Sequence, residues 1–192
     1  MRASKEKAAE HRDQIVDVAG RLFRAKGFDG AGVAEIMAAA DLTHGGFYGH
    51  FGSKDALAAQ ASKKALEKSA QVWRRIAAES PDAPFRALLE HYLRPSHRDE
   101  PGTGCALAAL GADAARQGKP VRNVFGDGLD ELVEILAAAV PGTSKAARRR
   151  KAVAALAQLA GAVMLSRAVG DRDLSDEILK AARADLLDSA RF

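Results

Sequence analysis

The sequence predicts an all-α protein of about nine helices, in which a small N-terminal head of three helices is joined by one long helix to a larger helical body. Three observations predict it. Apolar residues recur at i, i+3, i+4 and i+7 in window after window, the spacing of a helix with one face turned to a core. No stretch of useful length alternates apolar and polar residues as a half-buried strand would, and no segment repeats. The breaks between windows fall at Gly27, Pro81, Pro95, Pro120, Pro141-Gly142 and Gly170, residue types that end helices or open them. The expected division is residues 1–52 as the head, with a basic tail at 1–7, and residues 53–192 as the body.

The tail carries Arg2, Lys5 and Lys7 with no apolar face. It is expected to move freely and to add nonspecific attraction for phosphate. The first helix is expected from about Lys7 to Lys26, with Ile15, Val18, Ala19, Leu22 and Phe23 on one side. Gly27 ends it, taking the left-handed position just past the helix. After Gly32, Val33, Ile36, Met37 and Ala40 give a second, short apolar face, which Asp41 breaks. Asp tolerates a left-handed turn conformation, and Thr43 follows as a candidate N-cap whose hydroxyl would accept a backbone N–H.

The next segment, His44 to about His50, contains Gly45, Gly46 and Gly49. Each glycine costs a helix about 0.8–1.0 kcal/mol relative to Ala, so tertiary contacts must hold the segment, and Phe47 and Phe51 are its anchors. Bare glycines let backbone N–H groups approach a phosphate or a groove wall. His44, Tyr48, His50 and Lys54 add donors and one cation. Lys54 opens the following helix, where a cation opposes the helix dipole unless an anion lies nearby.

The run Asp41-Leu42-Thr43-His44-Gly45-Gly46-Phe47-Tyr48-Gly49-His50-Phe51-Gly52-Ser53-Lys54 resembles the helix-turn-helix motif of the TetR family of bacterial transcriptional regulators. That motif has the form Gly-hydrophobic-Ser/Thr-x-Gly-x-hydrophobic-Tyr-x-His/Tyr-Phe-x-Ser/Asn-Lys. The resemblance covers roughly residues 10–57. It departs at Asp41, where Gly is usual, at Gly49, where a larger side chain is common, and at Gly32, where Ser or Thr is usual. The resemblance implies that Thr43, Tyr48, His50 and Lys54 hold phosphates while His44 and Gly45 lie nearest the base edges. It also implies double-stranded operator DNA as a partner, a small-molecule effector bound in the body, and a long helix that conveys effector binding to the head.

That long helix is capped by Ser53, has Asp55 in its first turn, and keeps Leu66, Ala70, Trp73 and Ala77 on one face as far as Ser80 and Pro81. Ser80-Pro81 is expected to open a helix bearing Phe85, Leu88, Leu89 and Tyr92, and residues 95–103 to form a polar loop. Gly104-Cys105 then leads into Leu107, Leu110 and Ala114. Pro120 opens a helix with Phe125, Leu129, Leu132 and Leu136; Thr143 or Ser144 opens one over about 144–169; Ser175 opens the last, to about Ser189.

Three features of the body bear on function. Trp73, Phe85, Tyr92, Phe125 and Met164 offer an apolar lining for a cavity that takes a small, mostly apolar ligand; taken singly, each also suits a plain core. The last two helices are rich in small residues from Ala152 to Val163, which suits close helix packing. They would form a homodimer interface, since two heads on a two-fold axis read a palindrome that one head cannot. Cys105 sits where a helix N-terminus favours the reactive thiolate, although a lone cysteine commonly serves as a small hydrophobe. The resemblance extends here, because a Gly-Cys pair at this place is similar to that of some TetR-type repressors that sense electrophiles. The run Lys145 to Lys151 reads as a solvated helix face.

Composition bounds the remaining classes. The chain has 192 residues, 47% of them hydrophobic, and a net charge of +4 with pI near 9.3, which suits nucleic acid without requiring it. One cysteine forms no internal disulfide and points to a reducing compartment. The N-terminus lacks a signal pattern, and the run Ala152–Leu165, interrupted by Gln158, falls short of the ~20 residues that span a bilayer. A cytoplasmic protein with no membrane partner is expected. No HExxH, cysteine cluster or GxxxxGK is present, so neither a catalytic residue, a metal site nor a cofactor is expected. The reading is a ligand-responsive regulator, a repressor released from a palindromic operator. Its alternatives are a thiol-sensing repressor acting through Cys105 and a non-sensing interaction module.

Overall fold

Helix α1 (Arg2–Gly30) opens the computed structural model, which describes the backbone of residues 2–189 and side chains from Glu6 onward. The expected mobile tail is helical from Arg2, because Lys, Glu and Ala there are good helix formers; Met1 lies outside the described residues. Gly27 does take the left-handed region, with φ +78°, and breaks the helix before one further turn. That turn places Phe28 beside Phe23, both buried, their rings 5.3 Å apart.

Helix α2 (Val33–Ala39) buries Ile36 and Met37. Asp41 is left-handed with φ +54°, and the corner it makes leads to a 3-10 turn (His44–Gly46) running directly into α3 (Phe47–His50). Helix α4 (Lys54–Glu79) begins as expected, the Ala56 amide donating to Ser53 Oγ at 3.1 Å. It buries Leu57, Leu66, Ala70 and Trp73 along one side.

The body departs from expectation at three helix starts. Residues 80–83 form a turn, and α5 (Pro84–Tyr92) begins at Pro84, which takes the first-turn position expected of Pro81. The stretch expected as a polar loop contains α6 (Pro95–Asp99), again opened by a proline, with His97 and Arg98 buried. Helices α7 (Ala106–Ala114), α8 (Lys119–Ala139) and α9 (Lys145–Ala168) follow the reading, with Ser144 Oγ accepting from the Ala147 amide. Helix α10 (Arg172–Ser189) starts three residues before Ser175. The Asp171 carboxylate caps it, accepting from the amides of Asp173 and Leu174 at 2.9 and 3.1 Å. Ser175 is buried inside it, donating to the Ser166 carbonyl at 2.6 Å and accepting from Arg98 at 3.0 Å.

All described secondary structure is thus helical: ten α-helices and one 3-10 turn. Helix α4 is the central strut, packed on α1 near the head and on α8 in the body, while α9 lies between α8 and α10. Where α4 and α8 cross, a Cβ at Gly128 would lie 2.9 Å from Leu66 Cβ, so only glycine permits that approach. Buried apolar side chains run without interruption from Ile15 to Leu186. None of the helices is long and apolar enough to cross a membrane among the described residues.

Candidate nucleic-acid interface

The 3-10 turn and α3 together span only His44 to His50, three of the seven residues being glycine. Phe47 and Phe51 hold them: both are buried, with rings stacked at 5.7 Å. Burying a phenylalanine contributes about 1.5–3 kcal/mol each, enough to offset the roughly 2.4–3 kcal/mol that three glycines would cost. Gly46 packs toward Met37, whereas a Cβ at Gly45 or Gly49 would meet nothing within 4 Å. The outward side of the segment is therefore bare backbone in open space.

Around that bare surface stand the polar groups expected from the sequence. Thr43, His44 and Gly45 are exposed, Tyr48 is 71% exposed, and His50 and Lys54 are half-buried. Thr43 occupies the N-cap position but its hydroxyl makes no capping bond. The tight 3-10 geometry brings the Gly46 amide onto the Thr43 carbonyl at 3.0 Å instead, correcting the expected hydroxyl cap. The hydroxyls of Thr43 and Tyr48, the His44 ring and the Lys54 ammonium make no hydrogen bond or ion pair with a described residue. An exposed aromatic hydroxyl and an ammonium at a helix N-terminus, both unspent, suit an anion placed between them.

Arg12, on α1, is a further functional residue that no local pattern singled out. It donates to the His50 carbonyl and, at 2.8 Å, to Gln60 Oε1, and its guanidinium lies 4.3 Å from the Phe51 ring centroid. One side chain thereby ties the end of α3 to both α1 and α4. His50 faces His11 edge-on at 6.3 Å. The Arg12–His50 contact joins positions 38 residues apart, so nothing near Arg12 in the chain announces it.

In the body, the residues expected around a ligand, Cys105 among them, are buried in the core except for Met164, and none of them lines the body's larger cleft. Trp73 and Tyr92 meet edge-to-face at 5.6 Å inside the core, and Phe85, Phe125 and Cys105 are buried too. Met164 is 46% exposed on the outer side of α9 and lines no interior space; its neighbours Val163 and Ser166 take the inward positions. The hollow the body does offer is an open cleft of about 660 Å³ walled by Ala77, Pro81, Pro84, Ile135 and Ala138, with Arg74, Glu131 and Glu134 at one end. A smaller hollow of about 280 Å³, which Phe85 lines, adjoins it at Pro84 and Ala139. Within the basic run of α9, Arg149 pairs with Asp130 and Glu134.

Cys105 lies in a buried polar cluster. Its amide donates to His97 Nε2 at 3.0 Å while His97 Nδ1 faces the Tyr92 carbonyl at 2.6 Å, partners that assign the proton to Nδ1. Burial pulls His97 down to about 4, against the Tyr92 carbonyl, with the nearby Arg167 charge adding to the fall. The guanidinium groups of Arg24 and Arg167 both approach Cys105. The Tyr92 hydroxyl lies beside the Cys105 thiol, and it and Arg167 Nη1 are buried without a hydrogen-bond partner among the described residues. Arg24, from α1, donates to the Gly102 carbonyl at 3.0 and 2.6 Å, linking this loop to the head's first helix.

Comparison with known proteins agrees with this geometry. The family described as bacterial regulatory proteins, tetR family, matches residues 15–61. The transcriptional regulator AcrR of Shigella flexneri is 31% identical over 102 residues, 52% of this chain and 47% of that protein. The transcriptional repressor DhaR of Mycobacterium sp. (strain GP1) is 28% identical over 113 residues, 58% of this chain and 56% of that one. The chain thus matches about half the length of these curated relatives. A TetR transcriptional regulator structure from Chloroflexus aurantiacus superimposes with a TM-score of 0.76 at 25% identity, covering 95% of this chain and 96% of that one.

Proposed function

We propose that this chain is a member of the tetR family of bacterial regulatory proteins, which its residues 15–61 match, and that it is a dimeric DNA-binding repressor released from a palindromic operator by a small molecule. The observation that carries the reading is the set of unspent donors around a bare, rigidly anchored recognition segment. Thr43, Tyr48, His50 and Lys54 hold phosphates; His44 and Gly45 face the base edges. Residues 1–52 act as the reading head and residues 53–192 as the effector and dimer body.

Support for a dimer comes from the outward face of the last two helices. Val153, Met164 and Leu165 on α9 and Leu174 on α10 are each between 45% and 52% exposed, an apolar face whose burial against a second copy is favourable. Effector binding favours a conformation in which the two heads no longer match the half-site spacing. Linkage is reciprocal, so operator DNA weakens effector binding by the same factor.

Selection of purified protein against a random duplex pool tests the reading. The expected result is a two-fold symmetric site. On it, Tyr48→Phe and Lys54→Ala lower affinity for all sequences about equally, whereas His44→Ala changes the preferred bases. Binding that is weak, steeply salt-dependent and unselective would withdraw the repressor reading in favour of backbone-only contact.

The buried cluster favours a second reading, a repressor whose signal is modification of Cys105. The guanidinium charges of Arg24 and Arg167, the latter with an unpartnered nitrogen, act on that thiol beside the Tyr92 hydroxyl, and an added negative charge would be stabilised there. Loss of operator binding on treatment with hydrogen peroxide, which oxidises a thiol to an anionic sulfinate, abolished in Cys105→Ser, is the outcome this reading expects; an unchanged response in Cys105→Ser removes it.

A further inference from the structure

We propose that Arg12 and Gln14 of α1 are the positioning residues of the recognition segment, and that they set its choice among DNA sequences rather than its general affinity for DNA. This rests on the reading of the head as a DNA reader, and deepens it by assigning the residues that keep the reading surface in register. Both side chains act on carbonyls at helix ends. Gln14 Nε2 donates at 3.0 Å to the carbonyl of Ala40, the C-cap of α2, and Arg12 Nη1 donates to the carbonyl of His50, the last residue of α3. Carbonyls that end a helix have no partner within it, so each can take a donor from elsewhere. Between these two carbonyls lie residues 41–49, which include His44 and Gly45, the groups assigned to the base edges. One turn of α1 therefore holds the segment at both ends.

The apolar anchors cannot do this alone. Phe47 and Phe51 resist withdrawal from the core, but burial of apolar area is non-directional and does not by itself set the rotation of so short a segment. Hydrogen bonds and a planar stack are directional. Arg12 supplies both, since its second terminal nitrogen donates to Gln60 Oε1 on α4 at 2.8 Å and its guanidinium lies 4.3 Å from the centroid of the Phe51 ring. Both terminal nitrogens are thus engaged within the head. Base edges are read through hydrogen bonds of fixed direction, whereas a phosphate is reached by a long side chain such as Lys54 that can follow a moving partner. Loosening the segment at its ends costs the first kind of contact more than the second. Lysine in place of Arg12 keeps the charge, and with it any general attraction for DNA, but has neither the fork nor the plane.

The test uses the full chain and two duplexes at one salt concentration: the site the protein selects from a random pool, and a scrambled duplex of equal length. Arg12→Lys is expected to lower affinity for the selected site about tenfold and for the scrambled duplex by less than about twofold. Gln14→Met, which keeps the length and removes the amide, should lower the ratio of the two affinities about threefold. A helical melt checks that each variant is folded at the assay temperature. An unchanged ratio in Arg12→Lys overturns the proposal, and so does an equal fall on both duplexes, which is what a phosphate contact or a disrupted head would give. Amide exchange in the free protein reads the same two holds without DNA. The Gly46 amide, bonded to the Thr43 carbonyl at 3.0 Å, and the Phe51 amide, bonded to the Phe47 carbonyl at 2.9 Å, should exchange about tenfold faster in Arg12→Lys while amides of α8 keep their rates; unchanged rates at both overturn the proposal. A wild-type chain that selects no site overturns the repressor reading and the claim on specificity together, and faster exchange in Arg12→Lys would then still establish that Arg12 positions the segment.

Discussion

The recognition segment and the α4–α8 pair are built on opposite principles. The segment is seven residues long, carries three glycines, and has no helical stability of its own; two buried phenylalanines and the Arg12 clamp hold it from behind. The α4–α8 pair consists of helices of 26 and 21 residues that pack on each other in the body. Glycine plays contrary parts in the two. At Gly45 and Gly49 it leaves the surface empty for another molecule, while at Gly128 it removes the atom that would keep two helices apart. A surface that reads DNA must be bare yet immobile, so its rigidity is supplied by its neighbours. The α4–α8 crossing is close-packed, so its rigidity comes from its own contacts.

Four perturbations sharpen or break that contrast. The largest effect is expected from Phe47→Ala, which should cost about 3–5 kcal/mol in urea denaturation and remove operator binding; a loss below about 1 kcal/mol would show that the segment stands without its anchor. Acidification comes next and acts on the body. His97 titrates at about 4 in the folded chain against its ordinary 6.5, so the unfolded chain takes up the proton first as pH falls. Stability is therefore whole above about pH 6.5, declines by roughly 2–3 kcal/mol toward pH 4, and levels off below it for this group. His91, held at about 4 by burial and Arg94, acts in the same direction. Urea midpoints measured across that range should slope less in His97→Gln, and an identical slope would absolve His97.

Smaller effects separate the two kinds of glycine. Gly128→Ala forces a methyl against Leu66 and should destabilise by about 1–3 kcal/mol. Gly49→Ala meets open space in a helix and should stabilise by up to about 1 kcal/mol. Thermal melts of the two variants moving in the same direction would refute the distinction between bare surface and close crossing.

Legibility in the sequence followed the same divide. The recognition segment was readable because its residues are consecutive: Asp41 turning the chain, Thr43 opening the segment, Phe47 and Phe51 four apart, Tyr48 between them. Local spacing fixes which of these share a side, and the folded chain keeps that arrangement. The body's helices were readable for the same reason, apart from starts such as Ser80-Pro81 and Ser175, where two residues competed for one cap and long-range bonds chose the winner. Ser175 lost its capping role because Arg98 and the Ser166 carbonyl claim its hydroxyl.

What the sequence determined by itself is the helical class, the order of the elements and the chemistry of the recognition segment, all set by interactions reaching four residues or fewer along the chain. Only the tertiary structure decided that Arg12 clamps α3, that Met164 faces outward, that Cys105 sits among two arginines and an orphaned tyrosine, and that the cleft lies at Arg74, Glu131 and Glu134. Each of those depends on which faces of separate helices meet, and that choice is made by packing across the whole core, where no short stretch of residues holds the information.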